Sequence, residues 1–107
     1  MRKDDGTVLC TECAVASTPL ARMKGLLGRS SLDAGEGMLL PHTGSIHMFF
    51  MRFAIDAVFC DRELRVVKVV RGLKPWRMAA ARGASVVIEL AAGAAHGVEP
   101  GDQLTLE

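Results

Sequence analysis

Aromatic residues are scarce in this chain. Its 107 residues include four Phe, one Trp and no Tyr, so the interior must be filled by Val, Leu, Ile, Ala and six Met. A hydrophobic run long enough to cross a bilayer is missing too. The most apolar stretch, SIHMFFMRFAIDAVF at 45–59, is interrupted by Arg52 and Asp56, which excludes a membrane span. The beginning, MRKDDGTVLC, places Asp4 and Asp5 where a secretory leader needs an apolar core. With three cysteines and neither leader nor span, the chain is expected in the cytoplasm, with its thiols reduced.

What is present describes a folded domain. Half of the residues are hydrophobic and 23% are charged, which argues against disorder, and the length predicts a single domain over residues 1–107. The net charge is +1 but unevenly spread. Residues 61–82 hold seven basic and two acidic side chains, whereas residues 83–107 hold four acidic ones and no Lys or Arg. That local basic segment is too small a share of the chain to argue for a nucleic-acid partner.

Short β-favouring runs at 7–9, 13–16, 38–40, 64–70, 85–90 and 103–106 are separated by turns rich in Gly, Pro and Asp. One helix is expected, over about residues 18–28: Thr18 fits an N-cap, Pro19 the first turn, and Leu20, Met23 and Leu27 form an apolar stripe before Gly28. A single straight strand over 45–59 would reach about 50 Å, too long for a domain of about 13 Å radius of gyration. Two strands with a bend near Arg52, Phe53 and Ala54 are expected instead. The sum is a mainly β fold, a compact antiparallel β-sandwich or barrel-like domain with one short N-terminal helix.

Several constellations could carry chemistry. Asp56 shares a strand face with Val58 and Cys60, and Glu89 lies in the apolar run VVIEL. A carboxylate in such company is paired, hydrogen-bonded or perturbed. If Asp56, Glu89 and His47 met in one cavity they would be candidate acid/base groups; the alternative is a structural Asp bonded to backbone amides or to an arginine. Arg22 and Arg29 flank Gly25 at helical spacing, a shallow cradle for a carboxylate or phosphate, or else a pair of surface arginines. Arg65, Lys68, Arg71, Lys74 and Arg77 recur every third residue, which reads as protection of an edge strand. Trp76 among them could stack a base or a sugar. CTEC at 10–13 is a lone CxxC, favouring two semi-buried residues over a redox or zinc site. His42, His47, Met48, Met51 and Cys60 do not gather three ligands on one strand face, so no metal and no cofactor is expected.

Arg22, Gly25, Leu26 and Arg29, then Gly37-Met38-Leu39, then Met51, Ile55-Asp56 and Phe59, then Glu89-Leu90, Gly93 and Gly101-Asp102, form an ordered set. Over about residues 17–107 it resembles the DUF192 family of small bacterial and archaeal proteins with no assigned activity. The resemblance implies a mostly antiparallel β domain with a short helix near its start. It also implies that Arg22, Met51, Asp56 and Glu89 stand at positions the family's motif marks. Many members of that family have a Trp before the methionine, where this chain has Phe49 and Phe50.

Three functions fit these residues. The favoured one is a domain binding a small molecule or a protein through a pocket formed by Arg22, Arg29, Met51, Asp56 and Glu89. The others are a hydrolase-type enzyme using Asp56 or Glu89 with His47, and a structural module without a site.

Overall fold

The computed structural model describes residues 1–18 and 29–106, and all regular structure among them is β. The strands are β1 (Arg2–Lys3), β2 (Glu12–Val15), β3 (Glu36–Pro41), β4 (Ser45–His47), β5 (Ile55–Cys60), β6 (Val66–Leu73), β7 (Met78–Ala80), β8 (Val86–Ala91) and β9 (Leu104–Thr105). The mainly β expectation holds. The helix expected over about 18–28 falls on residues 19–28, which lie outside the described residues.

Five strands form the central sheet in the order β2-β3-β8-β5-β6. Every neighbouring pair is antiparallel except β2 and β3, which run parallel. Parallel neighbours cannot be joined by a tight turn, so β2 and β3 are not a hairpin. Nor does β2 form one with Thr7–Leu9, which contributes only a bridge from Val8 to Arg2. Two short antiparallel ribbons, β4–β7 and β1–β9, complete the fold.

The run at 45–59 does break into two strands, as its length requires in a molecule whose longest extent is 34 Å. The reversal comes earlier than expected. Met51 N–H donates to the Met48 carbonyl at 3.2 Å, with Phe50 at a φ of 66°, so the chain turns at Phe49-Phe50. The halves then part: β4 joins the β7 ribbon and β5 enters the middle of the sheet.

Alternation along the strands sorts the interior into two clusters, one on each face of the sheet. Ile55, Ala57, Phe59, Val87, Met38 and Leu40 lie under the β4–β7 ribbon, packed against Ile46, Met48 and Met51. Val58, Cys60, Ile88, Leu90 and Leu39 face the other way, packed against Leu9, Val98 and Leu104. All six residues of β5 are buried, which suits a strand with both neighbours and both faces covered.

The expectation of three reduced cysteines is corrected. Cys10 and Cys13 are joined by a disulfide across a Cα–Cα distance of 5.8 Å, and only Cys60 is free. Strand geometry would point their side chains apart. Here Cys10 precedes β2, and the N–H groups of Thr11 and Glu12 both donate to the Gly35 carbonyl, which bends the chain and brings Cys13 round. Cys10 also fixes a residue on β3: a Cβ at Gly37 would stand 2.9 Å from the Cys10 sulfur.

Candidate functional site

Asp56 is the second residue of β5 and is 1% exposed. Its strand partner β6 is irregular at this point, Ile55 pairing with Leu73 and Ala57 with Val70. Arg71 and Gly72 therefore both lie opposite Asp56, a β-bulge. Gly72, at a φ of 64°, turns its N–H to Asp56 Oδ1 at 2.9 Å. The turn after β8 brings two more donors, Gly93 N–H and Ala95 N–H, each 2.9 Å from Oδ2. Three amides thus engage the carboxylate, the structural alternative raised by the sequence.

The bulge also aims Arg71 at the same turn. Its guanidinium donates to the carbonyls of Ala95 and Val98 and meets Glu99 Oε1 at 3.3 Å. A carboxylate from β5 and a guanidinium from β6 together satisfy backbone groups of residues 93–98 that no strand pairs.

Glu89 is fully buried on the opposite side. In the β5–β8 register Asp56 pairs with Leu90 and Ala57 with Glu89. Glu89 thus shares the Ala57 and Val87 face, with Met38 across on β3, and Asp56 shares the Val58 and Leu90 face. The sheet itself separates the two carboxylates. His47 joins neither: it is exposed on the outward side of β4, whose inward residue is Ile46. The structure does not bring His47, Asp56 and Glu89 together: Asp56 and Glu89 stand at positions of alternate face on paired strands, and His47 faces outward.

The other expected site residues are scattered. Arg29 forms a bidentate pair with Glu36, Nη1 to Oε2 at 3.0 Å and Nη2 to Oε1 at 2.6 Å. That guanidinium, with the Asp33 N–H, holds the Glu36 carboxyl down at about 2. Met51 is buried beneath the Phe49-Phe50 turn, and Arg22 lies outside the described residues. Surface grooves of about 690, 290 and 410 Å³ are lined in turn by Arg62 and Ser85, by His42 and His47, and by Arg29 and Glu36; neither Asp56 nor Glu89 lines any of them. Among the described residues no three His, Cys, Asp or Glu side chains are grouped to hold a metal ion.

The feature that sequence reasoning missed lies at the end of the β4–β7 ribbon. The register pairs His47 with Met78 and Ile46 with Ala79. Ile46 and Ala79 face the core, so His47 and Met78 face outward, followed by Phe49 and Trp76. His47 stacks on Phe49 at 4.7 Å, Phe49 on Trp76 at 6.0 Å, and Phe50 meets Trp76 edge-on at 5.0 Å. Phe50 is 67% exposed, Trp76 58% and Met78 68%.

Two turns side by side build this end. In Met48–Met51 the third residue is Phe50, and in Lys74–Arg77 it is Trp76, at φ values of 66° and 68°. Each is closed by a bond from its fourth N–H to its first carbonyl. This is the sign pattern of a type II turn, which normally has glycine there; Pro75 takes the preceding position that such turns favour. The turns are bonded together, Trp76 N–H to the Met48 carbonyl and Met48 N–H to the Arg77 carbonyl, both at 2.8 Å. His42 and Leu64 also have positive φ, but among the described residues only Phe50 and Trp76 combine it with exposed rings in mutual contact. Pro75 beside Trp76 was the available signal, and the two phenylalanines read simply as strand.

Basic residues divide in the same region. Arg65, Lys68 and Arg71 reach backbone carbonyls of Gly101, Ala80 and Ala95, and β6 is an edge strand as their spacing suggested. Arg52, Lys74 and Arg77, which flank the aromatic turns, are exposed and form no ion pair among the described residues.

Comparisons with known proteins fit this picture. The DUF192 family model, described as Uncharacterized ACR, matches residues 1–106. A UPF0127 protein of Thermococcus sibiricus is 32% identical over 114 aligned positions, covering 100% of this chain and 73% of its own length. A UPF0127 protein of Pyrococcus horikoshii is 41% identical over 99, covering 87% and 85%. A crystal structure of a protein of unknown function from Novosphingobium aromaticivorans superposes with a TM-score of 0.76 at 26% identity, covering 88% of this chain and 74% of that one. A putative transcription regulator from Sinorhizobium meliloti has the same TM-score at 24% identity, covering 87% and 79%, and shares the fold.

Proposed function

The chain belongs to the DUF192 family, and from that premise we propose that it is a small binding domain that meets its partner through the aromatic end of the β4–β7 ribbon. One observation carries the reading: Phe50 and Trp76 are exposed, in contact, and each held where the backbone favours glycine. A left-handed backbone costs a bulky residue about 1–2 kcal/mol. Strain of that kind clusters at functional sites, where the surrounding structure holds it in place.

This moves the binding surface away from the pocket expected around Asp56 and Glu89. Asp56 is engaged by three amides and Glu89 stands across the sheet from it. Neither carboxylate lines any of the grooves above, and among the described residues no groove joins either one to His47, as acid/base catalysis by such a pair would need.

A ligand panel read through Trp76 emission tests the proposal, using metals, sugars, nucleotides, carboxylates, oligonucleotides, acidic polymers and lipid vesicles. A response that Phe50→Ser abolishes supports it. A flat response across the panel removes it.

A further inference from the structure

We infer that the aromatic end of the β4–β7 ribbon docks on the surface of an anionic phospholipid bilayer, an assignment of partner that rests on the binding role proposed above. The apex is apolar and prominent, with Phe50, Trp76 and Met78 each more than half exposed. Trp and Phe favour the boundary between headgroups and acyl chains, where an apolar ring and the polar indole N–H both find suitable surroundings.

Charge complements that apex. Arg52, Lys74 and Arg77 surround it, none in an ion pair among the described residues. No acidic residue occurs from 45 to 55 or from 64 to 88, so nothing in either segment repels lipid phosphates. A ring of cations around an apolar insertion matches an anionic headgroup layer over acyl chains.

The packing of the rings separates this partner from a nucleic acid. A base stacks on a free ring face, and here the rings take up part of that area among themselves, Phe49 stacked between His47 and Trp76 and Phe50 edge-on to Trp76. Such a knob enters a lipid interface without rearranging. The balance of the chain, net charge +1 and pI ≈ 7.8, also falls short of the general basicity of nucleic-acid-binding domains. The bonds between the two turns fix the apex in advance, which lowers the ordering cost of docking.

Trp76 is the single tryptophan, so emission of the full chain reports the apex alone. The chain is titrated with vesicles of phosphatidylcholine, with vesicles of equimolar phosphatidylcholine and phosphatidylglycerol, and with oligothymidylate and polyglutamate as soluble anions. The expected result is a blue shift of Trp76 and co-sedimentation with the anionic vesicles only, both weakened by salt. Replacing Arg52, Lys74 and Arg77 together by Gln lowers partitioning by about 100-fold. Phe50→Ser lowers partitioning while leaving the thermal midpoint in place. Absence of shift and sedimentation with anionic vesicles overturns the lipid assignment. In that case a response to oligothymidylate or polyglutamate leaves the binding role standing with another partner, and silence from both removes that role as well. Vesicle binding that persists unchanged in the Phe50 and triple variants overturns the apex as the docking surface.

Discussion

Asp56 and Arg71 hold Ala95 from two sides, the carboxylate accepting its N–H at 2.9 Å and the guanidinium donating to its carbonyl at 3.3 Å. The two side chains lie on adjacent strands, brought together by the bulge at Arg71-Gly72. Between them they secure the turn at residues 93–98, whose polar groups would otherwise meet the apolar cluster of Leu90 and Val98. A carboxylate engaged in this way braces the fold.

Asp56→Asn is expected to destabilise the protein by about 2–4 kcal/mol, because the amide sets its NH2 against at least one backbone N–H that now donates. Urea unfolding measures this. A cycle with Arg71→Gln is expected to show coupling of about 0.5 kcal/mol or more, since both act on one turn. Additive effects would mean that the two hold the turn independently.

The face on which Asp56 lies was legible in the sequence, because period-2 alternation groups it with Val58 and Cys60 without any tertiary knowledge. Its relation to Glu89 was not legible. That depends on β5–β8 register, which aligns Ala57 with Glu89 across two intervening strands and their loops. The bend at Phe49-Phe50 escaped notice for a related reason: both residues are apolar and strand-favouring, and nothing in their chemistry announces a positive φ. Cations on β6 were legible as edge protection by type and spacing. The carbonyls that Arg65 and Arg71 cap lie 24 to 36 residues away and could be found only in three dimensions.

Acid should expose the Glu36–Arg29 pair. The folded Glu36 carboxyl is held at about 2, first by the Arg29 guanidinium and then by the Asp33 N–H, against an ordinary value of 4.5. A depressed carboxyl stabilises the fold fully above its unfolded value, and that contribution is lost as pH falls through the folded one. Stability is therefore expected to decline between pH 4.5 and about 2, with Glu36→Gln removing this component of the decline. Chemical denaturation at a series of pH values checks it, and an identical acid limb in the variant would assign the loss to other carboxyls.

Cys60 should resist thiol reagents in the native protein. It is fully buried in β5, and burial, with the neighbouring Asp61 charge, pushes its thiol up to about 12, so almost no thiolate forms at neutral pH. With Cys10 and Cys13 joined, iodoacetamide is expected to add nothing to the native chain, one group after denaturation, and three after denaturation with reduction. Intact-mass spectrometry counts them. Three additions after denaturation without reductant would show Cys10 and Cys13 to be free thiols.

Phe50 and Phe59 differ nine residues apart in one apolar run, and their substitutions should separate display from packing. Phe59 is fully buried under the β4–β7 ribbon, so Phe59→Ala is expected to cost about 3–5 kcal/mol through lost burial and the cavity left behind. Phe50→Gly loses only an exposed edge contact with Trp76, worth about 0.5–1.5 kcal/mol. It also relieves a left-handed backbone that costs a bulky residue about 1–2 kcal/mol. Set against about 0.5–1 kcal/mol for the greater chain freedom of glycine, the net change should stay within about 1.5 kcal/mol of zero. Thermal unfolding of the two variants decides the matter: a Phe50→Gly loss as large as that of Phe59→Ala would make the exposed ring part of the core, and a neutral result leaves display as the reason for a phenylalanine at a glycine position.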